Sequence, residues 1–89
     1  MKNITLHIVN KLGLHARASA KLVATTSKYL SKIDILHGNN NVNGKSIMGV
    51  MMLGAKFGST INCIIDGPDE LEVSQALQHL VENKFHEES

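Results

Sequence analysis

Apolar side chains recur at two different periods along this chain, and the order in which the two periods alternate leaves few architectures open. Ile4, Leu6 and Ile8 fall on one side of the opening segment and Asn3, Thr5 and His7 on the other, the period of two that a half-buried strand requires. That pattern stops before Asn10-Lys11-Leu12-Gly13. From Ala16 to about Leu30 the spacing becomes three and four: Ser19, Leu22, Val23, Thr26 and Leu30 trace one face of a helix, with Arg17, Lys21 and Lys28 on the other. Ile33 and Ile35 then alternate with Lys32, Asp34 and Leu36, and the turn His37-Gly38-Asn39-Asn40 leads back into a short strand around Val42, a hairpin. Ser46 precedes the apolar run Ile47 to Leu53 and is a natural N-cap for a short helix that Gly54 can close. Phe57 and Gly58 turn the chain into a last strand, Ser59 to Asp66, in which Ile61, Cys63 and Ile65 alternate with Thr60, Asn62 and Ile64. Gly67-Pro68 opens a final helix with Pro68 at its first position, Asp69, Glu70 and Glu72 near the positive end of the dipole, and Val73, Ala76, Leu77, Leu80 and Val81 as its core stripe. The Glu87-Glu88-Ser89 tail is expected to fray.

The order strand, helix, strand, strand, short helix, strand, helix predicts an α+β sandwich. Each strand alternates, so the four-stranded sheet should be mostly antiparallel, with the three helices over one face and the other face wet. A right-handed crossover through the first helix makes strands one and two parallel and leaves room for a strand between them. The fourth strand fills that gap, giving the order 1-4-2-3.

At 89 residues the chain reads as a single domain over residues 1–89, with one modest core. Only Tyr29, Phe57 and Phe85 bring aromatic rings to it, so aliphatic packing must dominate. Nine Lys and Arg against eight Asp and Glu leave a net charge of +1, too balanced for a nucleic-acid footprint. Cys63 is the one cysteine and cannot form an internal disulfide; with no secretory leader and no apolar run long enough for a bilayer, a cytoplasmic protein without membrane insertion is expected.

The chemistry concentrates at Gly13-Leu14-His15-Ala16-Arg17, where a histidine meets the start of a helix. Neutral imidazole can attack phosphorus at neutral pH and leave again from phosphohistidine. Helix-start N–H groups lack intrahelical partners and lie at the positive end of the macrodipole, so the backbone N–H groups of Ala16 and Arg17 can hold a phosphate on His15. The Arg17 side chain can add a charge-assisted contact. His7, His37, His79 and His86 are better read as solvated side chains, and no metal site or cofactor is implied. Cys63 reads as inert packing. The short helix has more apolar positions than one stripe can bury: Val50 and Leu53 suit the core, while Ile47, Met48 and Met51 suit a docking patch, since deformable methionines fit several partners.

Over nearly its whole length the chain resembles HPr, the histidine-containing phosphocarrier family of the bacterial phosphoenolpyruvate-dependent phosphotransferase system. Gly13-Leu14-His15-Ala16-Arg17 and Asn43-Gly44-Lys45-Ser46-Ile47-Met48-Gly49 carry that resemblance together. It implies an HPr-like open-faced sandwich with the same strand order, and a carrier, not an enzyme with its own turnover. His15 would receive a phosphoryl group from Enzyme I, which took it from phosphoenolpyruvate, and pass it to enzyme IIA domains. The resemblance further implies attack by the histidine Nδ1, and it places Ser46 at the position modified by an ATP-dependent HPr kinase/phosphorylase in regulated members. The family has Pro after the arginine where this chain has Ala18; alanine restores an N–H donor in the first turn and relaxes the backbone of Arg17.

A monomer is expected. Two other classes stay open: a purely regulatory HPr-like module that signals through its phosphorylation state without a sugar permease, and a small anion-binding or phosphohistidine-hydrolysing enzyme. The second is disfavoured because the sequence shows no acid/base group paired with His15. Phosphate on Ser46 would add roughly −1.5 to −2 charge, tolerable at a helix start but harmful where a like-charged partner must dock.

Overall fold

The computed structural model describes residues 1–87. Strand β1 (Lys2–His7) is followed by helix α1 (Ala16–Thr26), the hairpin β2 (Lys32–His37) and β3 (Asn40–Asn43), the short helix α2 (Ile47–Met52), strand β4 (Thr60–Asp66) and helix α3 (Glu70–Glu82). The sheet order is β1-β4-β2-β3, and every neighbouring pair is antiparallel. Register places Cys63 at the centre, opposite Ile4 on one side and Ile35 on the other. The inward positions of three strands, Ile4 and Leu6, Ile33 and Ile35, and Ile61, Cys63 and Ile65, are all buried. Alternation in sequence has become a one-sided sheet. On that face lie Leu22 and Val23 of α1, Val50 of α2, and Val73, Leu77, Leu80 and Val81 of α3. The opposite face is polar where Thr5 donates to Asn62 Oδ1 at 2.8 Å.

Three expectations need correcting. Helix α1 stops at Thr26, so Leu30 lies outside it and is 82% exposed instead of extending the buried stripe. Past Thr26 the chain tightens into turns, with the Lys28 N–H on Thr25 O and the Tyr29 N–H on Thr26 O, both at 3.2 Å; beyond them the Asp69 carboxylate accepts the Leu30 N–H at 2.8 Å, the Ser31 N–H at 3.0 Å and the Ser31 hydroxyl. The Ser31 hydroxyl bond, then the Leu30 N–H, hold the Asp69 carboxyl below its ordinary range. Pro68 is likewise not the first residue of α3, which begins at Glu70: Asp69 is the N-cap residue, its carbonyl taking the Val73 N–H at 3.0 Å while its side chain faces the α1–β2 connection. Phe57 is exposed, leaving Phe85 fully buried and Tyr29 packed at the margin as the aromatic contribution to the core.

Candidate functional site

The backbone entering α1 is shaped by a tight turn. Asn10 is fully buried; its Nδ2 donates to Gly13 O at 2.8 Å, while the Gly13 N–H donates to Asn10 O at 3.2 Å. Gly13 has φ +67°, and a Cβ there would lie 2.6 Å from Ala55 O, so glycine is required twice over. The next N–H, that of Leu14, donates to the same Ala55 O at 2.9 Å. Together these contacts fasten the turn to the segment that follows α2.

His15 is the N-cap of α1. Its backbone is extended (φ −76°, ψ −178°), and its side chain makes no capping bond. The Ser19 N–H closes the first turn on His15 O at 2.8 Å. The N–H groups of Ala16, Arg17 and Ala18 precede that closure, so they are the helix-start donors that intrahelical bonding leaves over. Arg17 is exposed, and no carboxylate or carbonyl among the described residues engages its guanidinium. The structure therefore puts His15 at the start of α1, with Arg17 exposed in the first turn of the same helix.

It also adds a group the sequence reading lacked. Glu87 Oε2 lies 2.5 Å from His15 Nε2, with His15 only 25% and Glu87 11% exposed at the side chain. Glu87 Oε1 accepts from Asn10 Nδ2 at 3.0 Å. Burial opposes ionisation of this carboxyl, but hydrogen bonds from Asn10 and His15 and the positive field of His15 and Lys21 bring its pKa below the ordinary value. The expectation that the tail frays is thus overturned at Glu87, and His15 does have a carboxylate partner; Glu88 and Ser89 lie outside the described residues. No local periodicity marks Glu87. The one available signal was Phe85, a large apolar residue two positions before it.

Helix α2 starts as predicted. Ser46 Oγ accepts the Gly49 N–H at 3.1 Å, and the Val50 N–H donates to Ser46 O at 3.0 Å. Gly54 closes the helix with φ +64°. Val50 and Leu53 are buried, whereas Ile47, Met48 and Met51 are exposed, Met48 at 70%. Met52 beside them is also exposed, as are Leu12 and Phe57; the sequence reading left all three out of the patch, because position in an apolar run does not tell which side faces water. Helix α2 packs against α1.

Two of the other histidines and the cysteine have definite surroundings. His37 Nδ1 faces Thr60 O at 3.1 Å, and His79 Nδ1 faces Asn83 Nδ2 at 3.4 Å. Burial pushes the Cys63 thiol up to about 12, which keeps it protonated and inert. Among the described residues no group of three or more His, Cys, Asp or Glu could hold a metal ion, and no helix is long and apolar enough to cross a membrane.

Comparison with known proteins agrees with this geometry. The family model described as PTS HPr component phosphorylation site matches residues 2–83. Phosphocarrier protein HPr of Xylella fastidiosa (strain Temecula1) is 52% identical over 84 residues, 94% of each chain. Its counterpart in Cupriavidus necator is 51% identical over 80 residues, 90% of each. The crystal structure of HPr-C-His from Thermoanaerobacter tengcongensis matches with a TM-score of 0.95 at 47% identity, covering 100% of both chains. With the family model spanning nearly every described element and relatives at about half identity, the chain belongs to the HPr family of phosphocarrier proteins.

Proposed function

We propose that this chain carries phosphoryl groups on His15, taking them from phospho-Enzyme I and delivering them to enzyme IIA domains. The observation that carries the reading is the placement of the imidazole at the uncapped start of α1, with Arg17 exposed in the first turn of that helix. In-line attack by Nδ1 forms a nitrogen–phosphorus bond as the donor's breaks. The transferred group then meets the Ala16 and Arg17 N–H groups and the Arg17 guanidinium. Donor and acceptor are both imidazoles, so the step is nearly balanced in either direction. The chain is a covalent intermediate, not an enzyme with its own turnover.

Ile47, Met48 and Met51 form the docking rim in this reading, supported by their exposure on a helix packed against α1. Because donor and acceptor use one rim and one histidine, they dock in turn, never together. Ser46 is the regulatory phosphosite, accessible to an HPr kinase/phosphorylase at the edge of that rim. The decisive experiment is incubation with Enzyme I and labelled phosphoenolpyruvate, followed by mapping of the acid-labile label. His15 should carry all of it and His15→Ala none; label on another histidine in that variant would remove the assignment.

A further inference from the structure

The contact between Glu87 and His15 is held by an unusual piece of backbone. Lys84, Phe85 and His86 have φ of 56°, 55° and 62°, three successive non-glycine residues in the left-handed region. Such residues are uncommon and persist where the surroundings over-determine them. Here the restraints are visible. Phe85 is fully buried, and its carbonyl accepts from Lys21 Nζ at 2.6 Å. Lys21 sits four positions after Arg17 on α1, so the same helix that begins at His15 also grips the turn. Asn10 completes the frame: one side-chain amide donates both to Gly13 O and to Glu87 Oε1. The tail is thereby tied to both elements that position His15, the turn before it and the helix after it.

We propose that Glu87 is a positioning residue for phosphoryl transfer: its carboxylate accepts the Nε2–H of His15, fixes the imidazole tautomer, and leaves the Nδ1 lone pair as the nucleophile. This rests on the reading of His15 as the phosphoryl acceptor. An ionised carboxylate can only accept, so the ring nitrogen facing it must carry the proton. A neutral imidazole has one proton, and with Nε2 holding it the attacking pair is on Nδ1, which has no hydrogen bond among the described residues. The lowered pKa of Glu87 agrees with an acceptor at neutral pH.

The step balances without further reagents. The Nδ1 pair forms a bond to phosphorus, the donor's nitrogen–phosphorus bond breaks, and its electron pair returns to the donor imidazole. Positive charge grows on the His15 ring and is met through Nε2–H by Glu87, while the proton stays in that hydrogen bond. A carboxylate orients and stabilises imidazolium in the same way in acid–base triads. In the reverse direction the Nδ1–phosphorus bond breaks as the acceptor's forms, its electron pair returns to Nδ1, and His15 is left as a neutral imidazole with its proton still on Nε2. Ring orientation also matters, since reacting atoms must approach to about 3–3.5 Å in line.

The test compares the parent with Glu87→Ala and Glu87→Gln as substrates of Enzyme I, measuring kcat, KM and the ¹⁵N spectrum of the His15 ring. In the parent, the ring nitrogens should report the proton on Nε2, with its N–H slow enough in exchange to be seen. Glu87→Ala should lose that protected N–H and lower kcat roughly ten- to hundred-fold, the range seen for partners that orient a reactive histidine, with KM nearly unchanged. Glu87→Gln, which keeps the shape and an accepting oxygen, should recover part of the rate and show that the tail is still seated. Parent-like kcat in both variants, or an unaltered His15 ring spectrum in Glu87→Ala, overturns the positioning role. If the parent itself takes no label on His15, the carrier reading falls and this role with it; a labelled parent with unaffected variants removes the role alone.

Discussion

The two helices that frame the site begin in opposite ways. At α2, Ser46 folds its own hydroxyl back onto the Gly49 N–H, so the helix satisfies an orphan donor from within. At α1, the corresponding residue is His15, whose side chain turns away from the helix axis to Glu87 and makes no capping bond. A serine cap contributes about 1 kcal/mol to helix stability. Helix α1 forgoes that contribution, and its start is held instead from outside, by the Asn10–Gly13 turn and the bond from Leu14 to Ala55. In the proposed reading the difference separates a stability device from a binding device: donors already satisfied cannot greet a phosphate, and donors left open must be supported by other means.

Three substitutions can break or sharpen this contrast. The largest effect is expected at the open start. Arg17→Ala should remove the proposed charge-assisted contact, worth about 1.5–3 kcal/mol, or roughly ten- to hundred-fold in transfer rate, while thermal unfolding should move little, because the side chain is exposed and makes no hydrogen bond or ion pair among the described residues. Rapid phosphorylation of that variant by Enzyme I would make the open start an accident of packing. A smaller effect belongs to the closed start. Ser46→Asp places a charge where a partner docks, and repulsion of about 1 kcal/mol between unit charges near 4 Å in water corresponds to a roughly five-fold rise in KM toward Enzyme I. Added salt should shrink it, since screening acts within about 8 Å at physiological ionic strength; a salt-independent defect would point to distortion of α2 instead. The smallest effect on transfer is expected from Ser46→Ala, which should lower unfolding stability by about 1 kcal/mol and leave His15 labelling at the parent rate. A transfer defect in Ser46→Ala would show that the two helix starts are not independent.

What the sequence disclosed follows the same division between local and distant causes. The strands were legible because alternation is enforced residue by residue: Ile4, Leu6, Ile61, Cys63 and Ile65 all went inward. The Ser46 cap was legible because its partner is only three residues away. The His15 motif could be placed at a helix start for the same reason. The end of α1 was not legible, since the apolar spacing runs on to Leu30 and the group that holds Leu30 outside the helix, Asp69, lies 39 residues further along. Glu87 was harder still, 72 residues from His15 and carried there by a left-handed turn that no propensity favours at Lys84, Phe85 and His86. The burial of Phe85 and the bonds from Asn10, His15 and Lys21 hold Glu87 in place. Met52 escaped notice because a six-residue helix is too short for its pattern to assign a face to every apolar position.

Gly13 ties these regions together in a way that bears on how a carrier meets its partners. The absent methyl group at this position lets the strand-to-helix turn press against Ala55 O with no slack, so the nucleophile and the segment trailing α2 are parts of one rigid jig. In the proposed reading, a protein that docks on Ile47, Met48 and Met51 meets an imidazole whose turn is already fastened to the segment that follows α2. For a molecule whose task is to be loaded and unloaded by different proteins in quick succession, the missing carbon atom works as a calibration standard: each visitor is cut to the same gauge.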